Sequence, residues 1–310
     1  DAWRAAGRLG TLPPGWRAAV ERAHRMISID NLGALADFKI LGRHLAEEGV
    51  PFILLKGAAY LVDLYDDPGA RMLTDIDLLV QKSDVSRLLR RLAAAGFETR
   101  DGLPEYRRFE LAAAGRNGCH FEFHWWLGLP FRDRIGQEEV WRRSTSAVLE
   151  GVPCRRLAPE DAILYHAAHQ ADHYFGPTLK WAIDLREMLR HWKPDPDVLL
   201  RRAVDWRLRI ALALSLRHVD KIFPGVVPPR LLAGAAVSGA RGRLLRPFLS
   251  SDPVQLVAQS RSTLMRYALR CLLIDRPINA VGQILRVLAR PIADRVGKGV
   301  GRGTSAGRSD

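Results

Sequence analysis

The spacing of hydrophobic residues changes near the middle of the chain. Residues 16–48 carry apolar side chains at three- and four-residue intervals, which predicts an amphipathic helix. Short apolar segments follow at 52–55 and 73–80, and their lengths and flanking turn residues are typical of buried strands. From Pro159 onward only the helical spacing recurs. The pattern therefore predicts an α+β region followed by an all-helical region.

Shorter segments complete this prediction. In the first half they are helices over 57–64 and 83–95, strands near 97–99, 105–111 and 120–125, and a hairpin turn over 115–118. In the second half they are helices over 159–174, 179–192 and 197–222 and after Pro228 and Pro253. We expect a mixed sheet flanked by helices over residues 1–155, a helical domain over 156–296 and a disordered tail over 297–310.

The composition of the chain is typical of a globular protein. Hydrophobic residues make up 47% of its 310 residues, enough for a sizeable core. A bilayer crossing needs roughly 20 consecutive apolar residues, and since no such run and no signal peptide is visible, we expect no transmembrane segment. The three cysteines are far apart and odd in number, which argues against a disulfide framework. These features predict a cytoplasmic protein.

Positive charge is concentrated in the last third of the chain. The net charge is +13, and residues 201–310 hold 20 Lys and Arg against 6 Asp and Glu. Such a region could bind an anionic partner, namely nucleic acid, a membrane surface or an acidic peptide. Arg-rich helix faces in contact with water explain the same charges without a partner. A non-catalytic binding module is therefore the alternative to an enzyme.

Two acidic residues in the second predicted strand offer the clearest candidate chemistry. Asp75 and Asp77 are separated by one residue, so in a strand their side chains point to the same face. Neighbouring like charges on an apolar strand are costly unless a cation lies between them. Mg²⁺ or Mn²⁺ suits such oxygen ligands. A strand end in contact with water is the alternative explanation.

Four segments between residues 50 and 190 carry a resemblance to a known family. They are LLKG at 54–57, RMLTDIDLLV at 71–80, HFEFHW at 120–125 and LKWAIDL at 179–185. In this order the chain resembles the nucleotidyltransferase superfamily with the DNA polymerase β-like fold. It resembles more closely a bacterial group known only as uncharacterised nucleotidyltransferases. The resemblance implies a transferase that moves a nucleotidyl group from a nucleoside triphosphate, such as ATP, to an acceptor.

The resemblance also implies roles for individual residues. The implied metal ligands and catalytic residues are Asp75, Asp77 and Glu122. The implied phosphate ligands are Lys56, Gly57 and Arg71. The superfamily loop usually has Gly or Ser after its first glycine, whereas this chain has Ala58, so one phosphate-binding hydroxyl is missing. No motif specifies the acceptor, which could be a small molecule, a peptide or a protein.

Each of these residues also has a purely structural explanation. Glu122 could face water on an edge strand, and Gly57 could serve only a turn. Arg71 could pair with Asp66 or Asp75. The choice between these roles depends on whether the carboxylates converge in the folded chain.

The remaining candidates are residues that could contact the substrate. They are His124, His169, His173, Lys180 and Asp184. The last four are expected to face a cleft between the two predicted domains. His166, His169 and His173 recur at helical spacing and could instead bind zinc, but without a glutamate at the usual position a core role is favoured.

Overall fold

One mixed sheet organises the part of the chain that the computed structural model describes, namely residues 8–100, 110–128, 132–173, 175, 179–250 and 271–275. Its strands are β1 (Phe52–Leu55), β2 (Ile76–Val80), β3 (Glu98–Arg100), β4 (Glu110–Ala114), β5 (His120–His124), β6 (Thr145–Leu149) and β7 (Val152–Arg156). Their order is β3-β4-β5-β2-β1-β7-β6. The pairs β2–β5 and β1–β7 are parallel, and the other pairs are antiparallel. The predicted mixed sheet is confirmed.

The described residues also contain α-helices of very different lengths. They are α1 (Pro14–Glu47), α2 (Lys56–Tyr60), α3 (Val85–Ala94), α4 (Gln137–Arg143), α5 (Pro159–Asp172), α6 (Leu179–Trp192), α7 (Pro196–Asp205), α8 (Arg209–Ile222), α9 (Pro229–Gly234) and α10 (Gly239–Ser250). None of the helices in these residues combines the length and apolar character that a membrane crossing needs. After β7 the described residues are helical without further strands, as predicted.

The central strands and one face of α1 form the core under the sheet. All four residues of β1 and all five of β2 are buried. Helix α1 contributes Leu35, Phe38, Leu41 and Leu45, each at most 6% exposed. Burial of one such side chain stabilises a fold by roughly 1.5–3 kcal/mol. The three- and four-residue spacing in the sequence therefore identified this buried face, except at Leu32, which follows the same spacing but is 55% exposed.

Two buried polar residues of α1 hold the loops that lead into β2 and β5. The amide of Asn31 donates to the carbonyl oxygens of Pro68 and Arg71 (2.6 and 2.7 Å) and accepts from the amide of Leu73 (2.9 Å). The Asp37 carboxylate accepts from the backbone and side-chain nitrogens of Asn117 (2.9 and 2.8 Å). Since a buried polar group is costly without a partner, these bonds fix both loops. Helix α1 thus sets where the two strands begin.

Two local expectations differ from the structure. The region over 126–157, which has no clear hydrophobic period, contains α4 and the β6–β7 hairpin. The prediction of one helix over 197–222 is wrong, because α7 ends at Asp205 and α8 begins at Arg209. Between them Arg207 has a φ of 60°, in the left-handed region that breaks a right-handed helix.

By its contacts the chain forms two compact units. The first comprises residues 1–127, 135–166 and 179–199, and the second comprises residues 128–134, 167–178 and 200–310. The domain boundary near residue 155 stays a prediction. The disordered tail over 297–310 and the helices predicted after Pro253 lie outside the described residues, apart from a short helical stretch at 271–272. An anionic partner for the basic C-terminal third also stays a prediction.

Candidate active site

Three neighbouring strands of the first unit bring the main candidate residues together. Strands β2 and β5 run parallel, with Asp77 opposite Glu122. Strand β1 runs antiparallel to β2, with Leu55 opposite Asp77, and Lys56 follows directly. The sequence therefore places two carboxylates and one ammonium at neighbouring positions of the sheet, although they are up to 66 residues apart in the chain.

Asp77 lies at the centre of this group and is 2% exposed. Its Oδ1 accepts a hydrogen bond from Lys56 Nζ at 2.6 Å and lies 2.9 Å from His124 Nε2. Because an ionised carboxylate can only accept, His124 donates through Nε2–H in this arrangement. Burial alone would raise the pKa of Asp77, but the Lys56 charge and the His124 hydrogen bond together lower it. Asp77 is therefore ionised at neutral pH.

The pKa of Glu122 is shifted in the opposite direction to that of Asp77. Its Oε2 lies 3.6 Å from His124 Nε2. Burial and the negative charge of Asp77 raise the pKa of Glu122, and Lys56 and His124 offset this only in part. Asp75 adds a further, smaller upward contribution. The group is thus short of positive charge around Glu122.

The donor atoms in this group fit a divalent cation. Asp77, Glu122 and His124 each offer one ligand atom, and the three atoms lie within 4.8 Å of one another. A cation between them would balance the charge that raises the pKa of Glu122. Asp75, the fourth predicted participant, precedes β2 and is not one of these three; its Oδ1 accepts from Thr74 Oγ1 at 2.9 Å. The candidate ligand set therefore includes His124, which the sequence favoured as a substrate contact rather than as a metal ligand.

Lys56 reaches Asp77 from a strained backbone position. Its φ is 45°, in the left-handed region that residues with a side chain rarely adopt. This conformation costs roughly 1–2 kcal/mol and persists only where surrounding contacts hold it. At Gly57 an added Cβ would collide with the guanidinium of Arg71 and with Leu73. The observed reason for glycine at position 57 is thus the close packing of Arg71.

Arg71 is engaged by a partner that the sequence did not suggest. Its Nε and Nη2 donate to the two carboxylate oxygens of Asp184 on α6, at 2.9 and 3.0 Å. Both side chains are buried, and Tyr65 also donates to Asp184, at 2.7 Å. The alternative partners Asp66 and Asp75 are not those observed. Phosphate binding by Arg71 and substrate contact by Asp184 stay predictions, and each now has a structural contact that would compete with it.

A buried hydrogen-bond chain extends from this ion pair. The Arg71 guanidinium lies 5.2 Å from the centre of the Tyr60 ring. Tyr60 Oη lies 3.1 Å from His166 Nδ1, and His166 Nε2 lies 3.0 Å from the carbonyl oxygen of Trp181. Because the carbonyl can only accept, Nε2 carries the proton and Tyr60 donates to Nδ1. Burial lowers the pKa of His166 to about 4, so this ring is neutral.

Lys180, on α6, is a substrate-contact candidate whose electrostatic neighbours include Asp75 and Asp77. Burial and the charge of Arg71 lower its pKa, while Asp184, Asp75 and Asp77 raise it. His169 and His173 belong to the second unit, where their rings lie 4.5 Å apart in an edge-to-face arrangement. Within the described residues they are not part of a group of three metal-ligating side chains. Their contact with a substrate stays a prediction.

Sequence reasoning missed the tyrosine side chains next to Lys56, namely Tyr60 and Tyr165. A small pocket beside this lysine is lined by Leu54, Lys56, Ala59, Tyr60, Arg156, Leu157, Ala162, Tyr165 and Trp192. Tyr60 could have been found, because four residues after Lys56 it lies on the same helical face. Arg156 could not, because its position depends on the parallel pairing of β7 with β1, which no local pattern indicates.

Comparison with protein families agrees with this geometry. Residues 2–224 match a family described as uncharacterised nucleotidyltransferase. The chain belongs to this family. It is therefore a transferase of nucleotidyl groups, as its sequence resemblance implied. No curated protein matches the chain.

Several solved nucleotidyltransferase structures show distant likeness to this nucleotidyltransferase. ANT(2″)-Ia in complex with adenylyl-2″-tobramycin is 15% identical, with 55% of this chain and 95% of that chain covered and a TM-score of 0.41. The lincomycin-bound lincosamide antibiotic adenylyltransferase LnuA is 12% identical, with 46% and 89% covered and a TM-score of 0.34. A nucleotidyltransferase-like protein from Paracoccidioides brasiliensis is 13% identical, with 69% and 92% covered and a TM-score of 0.34. At these values the likeness carries no argument about substrates.

Proposed function

We propose that this protein transfers a nucleotidyl group from a nucleoside triphosphate to a hydroxyl or amine of an acceptor, with a divalent cation, Mg²⁺ or Mn²⁺, held by Asp77 and Glu122. The observation that carries the proposal is the register of β2 and β5, which sets these carboxylates opposite each other beside Lys56. Asp75, directly before β2, is proposed as a further carboxylate of the same site.

The chemistry explains why charges of both signs are needed. A bound divalent cation neutralises phosphate charge and lowers the pKa of an attacking hydroxyl. Asp77 and Glu122 hold the negative charge that attracts it. Lys56 and Lys180 supply positive charge for the phosphates that the carboxylates would otherwise repel. The site is buried enough to strengthen these interactions relative to water.

The Arg71–Asp184 pair has a supporting part in this proposal. Arg71 and Leu73 are held by Asn31, and Arg71 is also held by Asp184 on α6. This loop continues directly into Asp75 and β2. We therefore assign to Arg71 the positioning of the loop that carries Asp75 and leads into β2, in addition to any contact with phosphate.

The test is transfer of a labelled nucleotide. Purified protein is incubated with each α-³²P-labelled nucleoside triphosphate, Mg²⁺ or Mn²⁺, and mixtures of hydroxyl- and amine-bearing acceptors, and release of pyrophosphate is followed. We expect metal-dependent nucleotide binding and slow pyrophosphate release that falls by at least about 10²–10³-fold in Asp77→Asn. The exposed Lys82, beyond the opposite end of β2, provides a control as Lys82→Met. Absence of nucleotide binding with every metal and nucleotide would contradict the proposal.

A further inference from the structure

The histidine at the end of β5 points to a property of the site beyond nucleotidyl transfer. In the described residues, the group that could hold a metal consists of Asp77, Glu122 and His124, that is, two oxygen donors and one nitrogen donor. Carboxylate and water oxygens suit Mg²⁺, whereas imidazole nitrogen suits ions such as Zn²⁺, Co²⁺ and Fe²⁺, with Mn²⁺ accepting both. The donor set is therefore unusual for a magnesium site.

The distances between the donor atoms agree with those expected for ligands at adjacent coordination positions of one ion. Donors about 2.1 Å from a metal and at right angles to each other are separated by about 3.0 Å. His124 Nε2 lies 2.9 Å from Asp77 Oδ1 and 3.6 Å from Glu122 Oε2. Parallel pairing of β2 and β5 maintains this arrangement, since Asp77 is opposite Glu122 and Leu79 is opposite His124.

The surroundings of His124 also keep its ring away from water. The residue is 8% exposed, so its ring is largely shielded from water. Without a metal, Nε2 carries the proton that is donated to Asp77. Binding a metal through Nε2 moves this proton to Nδ1, which leaves a lone pair at Nε2. Asp77 can accommodate both Lys56 and a metal, because a carboxylate has about four acceptor positions on its two oxygens.

We propose that His124 is a direct ligand of the metal, and that the Asp77–Glu122–His124 group binds a transition-metal ion such as Mn²⁺ or Co²⁺ in preference to Mg²⁺. This inference rests on the proposed function only in requiring that the site binds a divalent cation. It goes further in naming the class of cation and the residue that selects it. The competing explanation is that His124 only donates a hydrogen bond to Asp77.

The experiment measures metal binding by the full chain without nucleotide, so that activity is not the readout. Mn²⁺, Co²⁺ and Mg²⁺ affinities are determined by calorimetry. Pulsed electron paramagnetic resonance of the Mn²⁺ complex then detects nitrogen coupled to the ion, with ¹⁵N-histidine labelling to identify its source. We expect a histidine nitrogen coupling and an affinity for Mn²⁺ and Co²⁺ at least about tenfold above that for Mg²⁺.

His124→Gln separates the two explanations, because its amide keeps a hydrogen-bond donor near Asp77 but removes the imidazole nitrogen. Loss of the coupling and of at least about tenfold in Mn²⁺ and Co²⁺ affinity, with Mg²⁺ affinity little changed, is the expected result. His120→Gln is the matched control, since His120 lies on the same strand but is exposed. It should change neither measurement.

The outcomes distinguish this inference from the proposed function. Mn²⁺ binding that requires Asp77 but shows no histidine coupling would overturn the role of His124 and leave the proposed function intact. Absence of any metal binding that depends on Asp77 would overturn the metal-dependent mechanism itself. Unchanged Mn²⁺ and Co²⁺ affinity in His124→Gln would likewise overturn the inference.

Discussion

Asp77 and Asp184 are both buried carboxylates bonded to a cation in the same compact unit, but their surroundings differ. Both oxygens of Asp184 accept from one Arg71 guanidinium, and Tyr65 supplies a third bond. At Asp77 two donors, Lys56 and His124, share a single oxygen. A second carboxylate, Glu122, lies beside them with a raised pKa.

This difference indicates that Arg71 and Asp184 form a structural pair, whereas the group around Asp77 is reactive. A bidentate pair between planar groups satisfies its hydrogen bonds and leaves nothing for a ligand to complete. The group around Asp77 has an excess of negative charge at one carboxyl, a strained lysine and donors arranged around one point. Perturbed, incompletely balanced charges of this kind are typical of functional sites. If the comparison is correct, equivalent substitutions should affect stability at Asp184 and chemistry at Asp77.

Asp184→Asn should produce the largest loss of stability. The substitution leaves Arg71 charged and buried without its counter-ion, which costs about 3–5 kcal/mol. Asp77→Asn should lower the free energy of unfolding by less, about 1–3 kcal/mol, because the amide still accepts from Lys56, which is 17% exposed, and Glu122 remains nearby. Denaturant unfolding of both variants measures the difference. Equal losses would show that Asp77 is as structural as Asp184.

Acid should lower the stability of the folded protein through His166. This residue belongs to the buried hydrogen-bond chain that extends from the Arg71–Asp184 pair. The folded-state pKa is about 4, below the ordinary value of 6.5, because burial outweighs the opposing effect of Asp184. Between these values the unfolded chain binds a proton that the folded chain does not, so the free energy of unfolding falls as the pH decreases from about 6.5 to about 4. This contribution is at most on the order of 3 kcal/mol.

His166→Gln removes the titrating group and tests this expectation. Its unfolding free energy, measured at several pH values between 7 and 4, should decrease less steeply than that of the unsubstituted protein. His191→Gln is the control, because the His191 side chain is 54% exposed. Parallel curves for all three proteins would place the acid sensitivity elsewhere.

The sequence predicted the centre of the sheet better than its edge. Four consecutive apolar residues at 52–55, between Pro51 and the Lys56-Gly57 turn, mark a strand buried on both sides. Strand β6 shows only weak burial, and its hairpin turns at Glu150 and Gly151, with φ values of 52° and 74°. The glycine suits this turn, but the glutamate before it is not a residue that marks one. Edge strands carry less hydrophobic signal because one side faces water.

The same limit applies to the candidate site. Asp77 could be predicted from its spacing to Asp75 on an apolar strand, whereas Lys56 and Glu122 were implied by the family resemblance. The pairing of Arg71 with Asp184 joins residues 113 positions apart, and nothing local at either residue indicates it. The contact of His124 with Asp77 likewise depends on the register of two parallel strands, which sequence periodicity does not determine. Long-range partners therefore required the fold.

Lys56→Met should shift metal and nucleotide affinity in opposite directions. It removes a positive charge bonded to Asp77 Oδ1, so Mn²⁺ affinity without nucleotide should rise about tenfold as charge repulsion is relieved. Triphosphate affinity should fall, because a phosphate-binding charge is lost. Calorimetry measures both. General loss of structure would weaken both, and Lys56→Arg, which keeps the charge, should leave Mn²⁺ affinity nearly unchanged.

Of these substitutions, Lys180→Met should have the smallest effect. It tests whether Lys180 belongs to the reactive group around Asp77. The lysine is held between the repulsion of Arg71 and the attraction of Asp184, Asp75 and Asp77. If its charge serves the phosphates, its loss should raise KM for the nucleotide by about three- to tenfold while leaving the unfolding free energy within about 0.5 kcal/mol. Lys82→Met, at an exposed position, should change neither value. A loss of stability with an unchanged KM would instead assign Lys180 to the structural Arg71–Asp184 pair. The charged residues of α6 would then be structural, and the reactive group would be limited to the residues around Asp77 on β2.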